Sequence, residues 1–157
     1  MTDATGLFGG ADTGTWVWRG NELFDGLGHQ VASVRSDVLF HAGERMLLEY
    51  SPGGRFRLRA TTAGGAVYTA AQRGLTVQHL HGSCEGRDYE MDRTSLWRKE
   101  RVIRANSGPV ALVRPRISGA VEIVDDPEEM SPMPAADAVF LSWACVMVDS
   151  PVRKTRT

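Results

Sequence analysis

Lysine, cysteine and histidine are scarce in this 157-residue chain: two lysines, two cysteines and four histidines. Two cysteines, Cys84 and Cys145, are too few for a disulfide framework, and Cys145 lies in an apolar run where a free thiol behaves as a small hydrophobe. A reducing compartment is therefore expected. No stretch reaches the roughly 20 apolar residues that span a bilayer as a helix, so no transmembrane segment is expected. The opening residues, MTDATGLFGGADTG, hold no basic residue and no apolar core, which argues against a secretory or transit peptide and for a cytoplasmic location. Gly-x-Ser-x-Gly, Walker A, dinucleotide and CxxC signatures are all missing, so hydrolase, NTPase, Rossmann and zinc-ribbon readings find no support. Aperiodic Gly and Pro exclude collagen-like, coiled-coil and repeat-solenoid architectures.

What remains is ordinary globular composition, 42% hydrophobic and 24% charged. A chain of this length buries roughly two-thirds of its unfolded surface, enough for one core without a metal or a disulfide. One domain over residues 15–150 is expected, between a flexible segment 1–14 and a short tail 151–157. Formal net charge is −1, but residues 52–116 carry twelve basic against five acidic side chains, while 117–137 carry six acidic and no basic ones. Sixteen of the eighteen basic residues are Arg, which suits bidentate contact with phosphate. Such a basic middle marks either an anion-binding surface or a solvated strand face.

Turn signals recur at Asp25-Gly26, Pro52-Gly53-Gly54, Gly64-Gly65, Gly74, Gly82, Asn106-Ser107-Gly108-Pro109 and Ser118-Gly119. Between them lie β-rich or alternating segments at 15–19, 29–35, 45–50, 55–60, 66–72, 75–81, 110–116 and 120–124, an all-β rhythm. In Arg55-Phe56-Arg57-Leu58-Arg59 the alternation places three guanidiniums on one strand face and aims Phe56 and Leu58 at the core. Residues 87–104 alternate poorly and are compatible with strand, helix or a mixture of the two. A shared phrase, Val31-Ala32-Ser33-Val34-Arg35 and Val110-Ala111-Leu112-Val113-Arg114, hints at two related halves.

One segment departs from this rhythm. Ala135 to Val148, AADAVFLSWACVMV, is apolar all round apart from Asp137 and Ser142, and Asp149-Ser150-Pro151 stops it. A helix over about 135–149, with Asp137 in its first turn, must bury every face, including Val139, Phe140, Leu141, Trp143, Val146 and Met147. An open sheet covers only one side of such a helix. Short strands around it therefore predict a mainly β fold: an antiparallel closed barrel of about 10–12 strands surrounding a buried hydrophobic C-terminal helix.

Leu23-Phe24-Asp25-Gly26-Leu27-Gly28-His29-Gln30-Val31, Tyr89-Glu90-Met91, Gly108-Pro109-Val110-Ala111 and the stretch from Asp137 to Asp149 together resemble the tubby-like superfamily, in its branch of LURP-one-related proteins and phospholipid scramblases. The resemblance covers roughly residues 15–150 and implies a twelve-stranded barrel threaded by the C-terminal helix. The chain is short for that family, and it lacks the proline-rich leader and cysteine cluster associated with scramblases. The resemblance implies a non-enzymatic domain that needs no cofactor and meets an anionic phospholipid head group, a membrane surface or a protein partner, with peripheral association at a membrane. No basic position of the family carries over. The local candidates are Arg55, Arg57 and Arg59, with Arg114 and Arg116 on a later strand.

An alternative rests on Gly74-x4-His79-x-His81-x3-Glu85, which resembles the first motif of the cupins and suggests a small metal-dependent enzyme or ligand-binding barrel using His79, His81 and Glu85 or Cys84. No histidine follows His81 to supply a second motif. Trp16 and Trp18 share a strand face and suit either interfacial anchoring or packing against the helix. Asp125-Asp126-Pro127-Glu128-Glu129 lacks the spacing of a calcium loop and reads as a linker. With no aromatic platform beside the arginines, nucleic-acid binding is not expected.

Overall fold

In the computed structural model, residues 15–51, 54–125, 131 and 133–150 are described; segments 1–14 and 151–157, expected to be a flexible start and a tail, lie outside them. The chain forms β1 (Thr15–Arg19), β2 (Glu22–Phe24), β3 (Gln30–Arg35), β4 (Val38–His41), β5 (Glu44–Tyr50), β6 (Arg57–Thr62), β7 (Val67–Gln72), β8 (His79–Cys84), β9 (Arg87–Arg93), β10 (Arg101–Ala105), β11 (Gly108–Pro115), β12 (Val121–Val124) and α1 (Ala135–Asp149). Each strand pairs antiparallel with its sequence neighbours, and β1 closes the barrel against β12 with Trp16 opposite Ile123. Closure leaves no strand edge free to pair with another chain.

α1 occupies the lumen. Ala138 through Val146 are all buried along it, with Val139, Phe140, Leu141, Trp143 and Val146 facing the inward rows of the strands. Met147, expected to be fully buried, is only partly so, because it lies in the last turn where the helix reaches the barrel mouth. Trp16 and Trp18 point inward; the Trp18 ring lies 5.0 Å from that of Trp143, and its Nε1 donates to Ser142 Oγ at 2.8 Å. Tyr68 meets Phe140 edge to face.

Gly82 is a strand residue, not the turn that its type suggests. It faces inward on β8, and a Cβ there would come within 2.5 Å of Leu141 Cδ2, so glycine leaves the space that the Leu141 side chain occupies. β8 consequently runs on to Cys84 and turns at Glu85-Gly86, while Leu75, expected within a strand, lies in the loop before it. β4 escapes a reading of turn residues because Ser36, Asp37 and Ala42, not glycines alone, adopt positive φ at its two turns. The shared phrase maps onto β3 and β11, eight places apart in a barrel of twelve, so it reflects one inward–outward pattern and not two six-strand halves.

Both ends of α1 are fastened by carboxylates. Asp137, in the first turn, is fully buried and accepts two hydrogen bonds from Arg87 (Nε 2.8 Å, Nη2 2.9 Å) and one from the Tyr89 hydroxyl. Burial, and then that bond to Asp137, push the Tyr89 phenol above its ordinary range. Twelve residues on, about 18 Å along the axis, Asp149 accepts Arg101 Nε at 2.6 Å and Nη2 at 3.0 Å, and Arg93 Nη2 at 2.8 Å. Arg101 is wholly buried, yet all five of its N–H groups are used, the other three by the carbonyls of Val77, Gln78 and Met91. Burial acts to lower the Arg101 pKa; its hydrogen bonds to Asp149 and the charge interactions with its neighbours, Asp149 and Asp92 among them, together raise it.

Leu141→Asp places a carboxylate in the lumen and is expected to destabilise the protein by about 4 kcal/mol or more; an unchanged melting temperature would remove the buried-helix arrangement. Asp149→Asn strips Arg101 and Arg93 of their counter-charge and is expected to cost about 3–5 kcal/mol, whereas replacing the cluster together, Asp149→Leu with Arg101→Met and Arg93→Met, costs less. Denaturant melts of the three proteins check this, and equal losses in both variants would show that the uncompensated charge is not what the single change exposes.

Candidate functional site

The inward positions of the barrel face the helix, so side chains able to meet a partner stand on the outer wall or at the two mouths. The β2–β3, β4–β5, β6–β7, β8–β9 and β10–β11 turns lie at the first mouth, where α1 begins; the β1–β2, β3–β4, β5–β6, β7–β8, β9–β10 and β11–β12 connections lie at the second, where α1 ends. This geometry sorts the basic residues of segment 52–116 into three groups.

Arg87, Arg93 and Arg101 turn inward and hold the helix. Arg73, Arg114 and Arg116 stand outside but are paired with Glu90 (3.1 Å), Glu100 (2.8 Å) and Glu122 (2.8 Å). Arg55, Arg57, Arg59, Arg98 and Arg104 are exposed and form no ion pair among the described residues. Lys99 donates to the Asp149 carbonyl oxygen at 3.3 Å.

The five arginines singled out from sequence therefore do not form one site. Arg114 and Arg116 belong to the neutralised group on β11 and its following turn. Arg57 and Arg59 project side by side from β6, with Leu58 between them in the core and Phe56 partly buried, as the alternation predicts. Arg55 corrects the expectation of three guanidiniums on one strand: it lies in a bend before β6, because the strand starts only at Arg57.

Arg57 and Arg59 border a concavity of about 850 Å³ on the outer wall of β5, β6 and β7, together with Glu49, Tyr50, Val67 and Thr69. Glu49 stands opposite Arg59 in the strand register, yet no ion pair joins them. Leu47 and Val67, both exposed, flank Thr61 on the same outer face. The wall thus combines uncommitted guanidiniums with apolar surface, a composition suited to an anionic group carried on an apolar body.

The histidines serve a different arrangement. His79 and His81 both project outward from β8; His79 Nδ1 lies 3.0 Å from Asp92 Oδ1, and His81 Nδ1 lies 2.9 Å from Glu90 Oε2. Glu85 sits in the turn at the first mouth, 3.5 Å from Arg87. Since β8 carries the histidines and Glu85 lies past its end, the three do not converge, and no three His, Cys, Asp or Glu side chains among the described residues make a metal-binding group. Cys84 and Cys145 are buried and free, and burial pushes both thiols up, Cys145 to about 12, which leaves them protonated and poor nucleophiles.

Two sets of residues escape the sequence reading. The inward arginines are invisible to a hydrophobic pattern, although Asp137 and Asp149 in an otherwise apolar run signal that buried counter-charges must exist. Leu96, Trp97 and Ile117 fall in connections that a strand-based reading passes over, and Leu75, read as part of a strand, lies in a loop; these four are the most exposed large apolar residues of the described chain. No described helix is long and apolar enough to cross a membrane. Compared with protein-family models, with curated proteins and with solved structures, the chain finds no match.

Proposed function

We propose that this chain is a tubby-like, non-enzymatic domain that binds an anionic lipid surface through the outer wall of β5–β7, with Arg57 and Arg59 as the principal contacts and Arg55 beside them. The observation that carries this reading is the pair of adjacent outward guanidiniums that form no ion pair among the described residues, on a wall that also exposes Leu47 and Val67. Guanidiniums held on neighbouring outward positions of one strand offer fork-shaped donors to phosphate oxygens at little cost in ordering, because β6 fixes their spacing. The closed barrel around an apolar helix supports the tubby-like assignment as an architecture. A helix that takes the space in which other barrels hold a ligand also supports a recognition surface on the outside.

Near an anionic membrane each basic residue contributes about 1 kcal/mol, and screening over a Debye length removes much of that contribution as salt rises. Flotation with vesicles containing anionic phospholipid should therefore show binding at low salt that weakens at moderate salt. Arg57→Glu/Arg59→Glu should lose it by at least about tenfold. Arg114→Glu, whose residue is already neutralised by Glu100, should change it far less. Equal losses in the two variants would reject the β5–β7 wall as the site.

A further inference from the structure

The second mouth carries a feature that the arginine wall does not explain. Four large apolar side chains there are almost fully exposed: Leu75 (84%) in the β7–β8 loop, Leu96 (76%) and Trp97 (91%) in the β9–β10 loop, and Ile117 (105%) in the β11–β12 turn. These connections follow one another around the rim. At their bases all three are tied to one point, the end of α1: Arg101 joins Asp149 to the Val77 and Gln78 carbonyls, Lys99 reaches the Asp149 carbonyl, and Ser150 Oγ donates to Gly119 O.

The tips are also built to stay out. Ser95 Oγ accepts the backbone N–H groups of Trp97 and Arg98, and the Thr94 N–H closes that loop on Glu100 O. Gln78 N–H bonds Thr76 Oγ1 in the β7–β8 loop, and Arg116 N–H meets Ala120 O across the last turn. Apolar residues on loops fixed this way hold their exposed positions without an ordering cost on binding. A large exposed apolar set on a folded protein marks an interaction surface.

The chemistry at the opposite mouth narrows the partner. The connections at the second mouth hold Arg55, Arg73, Arg98, Lys99 and Arg116 against Asp37 and Glu100. The described turns at the first mouth hold no Arg or Lys, carry Asp25 and Glu85, and expose one large apolar residue, Leu27. The connections are thus polarised, basic and apolar at the second mouth and acidic at the first, with Arg73 and Arg116 already paired to Glu90 and Glu122. Protruding indole and aliphatic tips beside basic side chains suit the boundary between anionic head groups and acyl chains, where Trp is favoured and Arg and Lys meet phosphate.

We infer that the β7–β8, β9–β10 and β11–β12 loops form a wedge that inserts Leu75, Leu96, Trp97 and Ile117 into the interface of an anionic bilayer, with Arg98 and Lys99 at head-group level. The inference rests on the membrane reading above and adds to it a depth and an orientation: the second mouth faces the bilayer and the axis of α1 stands steeply to its plane. Arg55 and Arg57, at the same end of the neighbouring wall, then lie closest to the surface.

The test uses the full chain with vesicles of phosphatidylcholine and phosphatidylserine, some bearing brominated acyl chains. Trp16, Trp18 and Trp143 are buried, so the fluorescence difference between the protein and Trp97→Phe isolates Trp97. Insertion predicts a blue shift and quenching of the Trp97 signal by bromolipid. It also predicts that Leu75→Ser/Leu96→Ser/Ile117→Ser, all at exposed sites, weakens vesicle binding about tenfold or more at an unchanged melting temperature. Binding that persists in this triple variant, with Trp97 unquenched, overturns the wedge and leaves the arginine wall standing. Binding lost in the triple variant but intact in Arg57→Glu/Arg59→Glu upholds the wedge and overturns the wall. No binding by the unaltered protein to any of these vesicles overturns both.

Discussion

A helix with no polar face has to be enclosed on all sides, and the rest of the molecule follows from that requirement. The barrel supplies the enclosure, but apart from shape and the Trp18–Ser142 hydrogen bond, apolar packing leaves the helix some freedom to slide or rotate. Asp137 and Asp149 remove that freedom. Each carboxylate is buried and meets an inward arginine through two hydrogen bonds, so the helix is pinned at both mouths at a defined depth and rotation. Buried ion pairs roughly break even on net stability; what they supply here is a penalty against every other register. The unequal supply of cations also has a physical reason. Asp137 lies where the positive end of the helix dipole already favours it, and Arg87 with Tyr89 suffices. Asp149 sits at the negative end, where the last turn holds no basic residue, and Arg101, Arg93 and Lys99 are all drawn to it.

This arrangement divides the basic segment of the chain into architecture and surface. Three of its arginines are spent on the helix and three more on the partly buried glutamates Glu90, Glu100 and Glu122. Composition alone therefore overstates the charge open to a partner, and the uncommitted part is concentrated at Arg55, Arg57, Arg59, Arg98 and Arg104. Filling the lumen has a second effect: the chemistry left to the molecule is that of its outer wall and its rims.

The same division decides what could be read in the sequence. α1 was legible because fourteen nearly unbroken apolar residues admit few other fates, and enclosure of such a helix by strands is a geometric consequence. β1, β3, β5, β6, β7, β11 and β12 were legible because β-forming segments with apolar residues at alternate, inward positions lie between turn residues. β9 and β10 were not, because Arg87, Arg93 and Arg101 stand at inward positions and break the alternation for the sake of the helix. β4 was hidden by turns whose positive φ falls on Ser36, Asp37 and Ala42, and the end of β8 by a glycine that marks a close approach and not a reversal. At the candidate site, parity identified Arg57 and Arg59. The pairing of Arg114 with Glu100 and of Arg116 with Glu122 depends on strand register and rotamers that no local pattern encodes.

Cohesion at the second mouth links the buried and the exposed halves of this account. Arg101 is a core residue by burial, yet two of its donors reach the β7–β8 loop and two hold Asp149, whose own carbonyl accepts Lys99 from the β9–β10 loop. Ser150, one residue further, holds the β11–β12 turn through Gly119. The point that sets the depth of the helix therefore also gathers three loop bases into one rigid rim. Loops anchored only by their own turns would be free to fold their apolar tips back onto the barrel and hide them from water. Loops fastened to a charged knot in the core keep those tips apart from the wall, at the expense of exposing Trp97 and Ile117. An exposure so firmly maintained is unfavourable in the free protein and is compensated only when an apolar phase covers it, so the rigidity of the rim and the chemistry of its tips point to the same kind of partner.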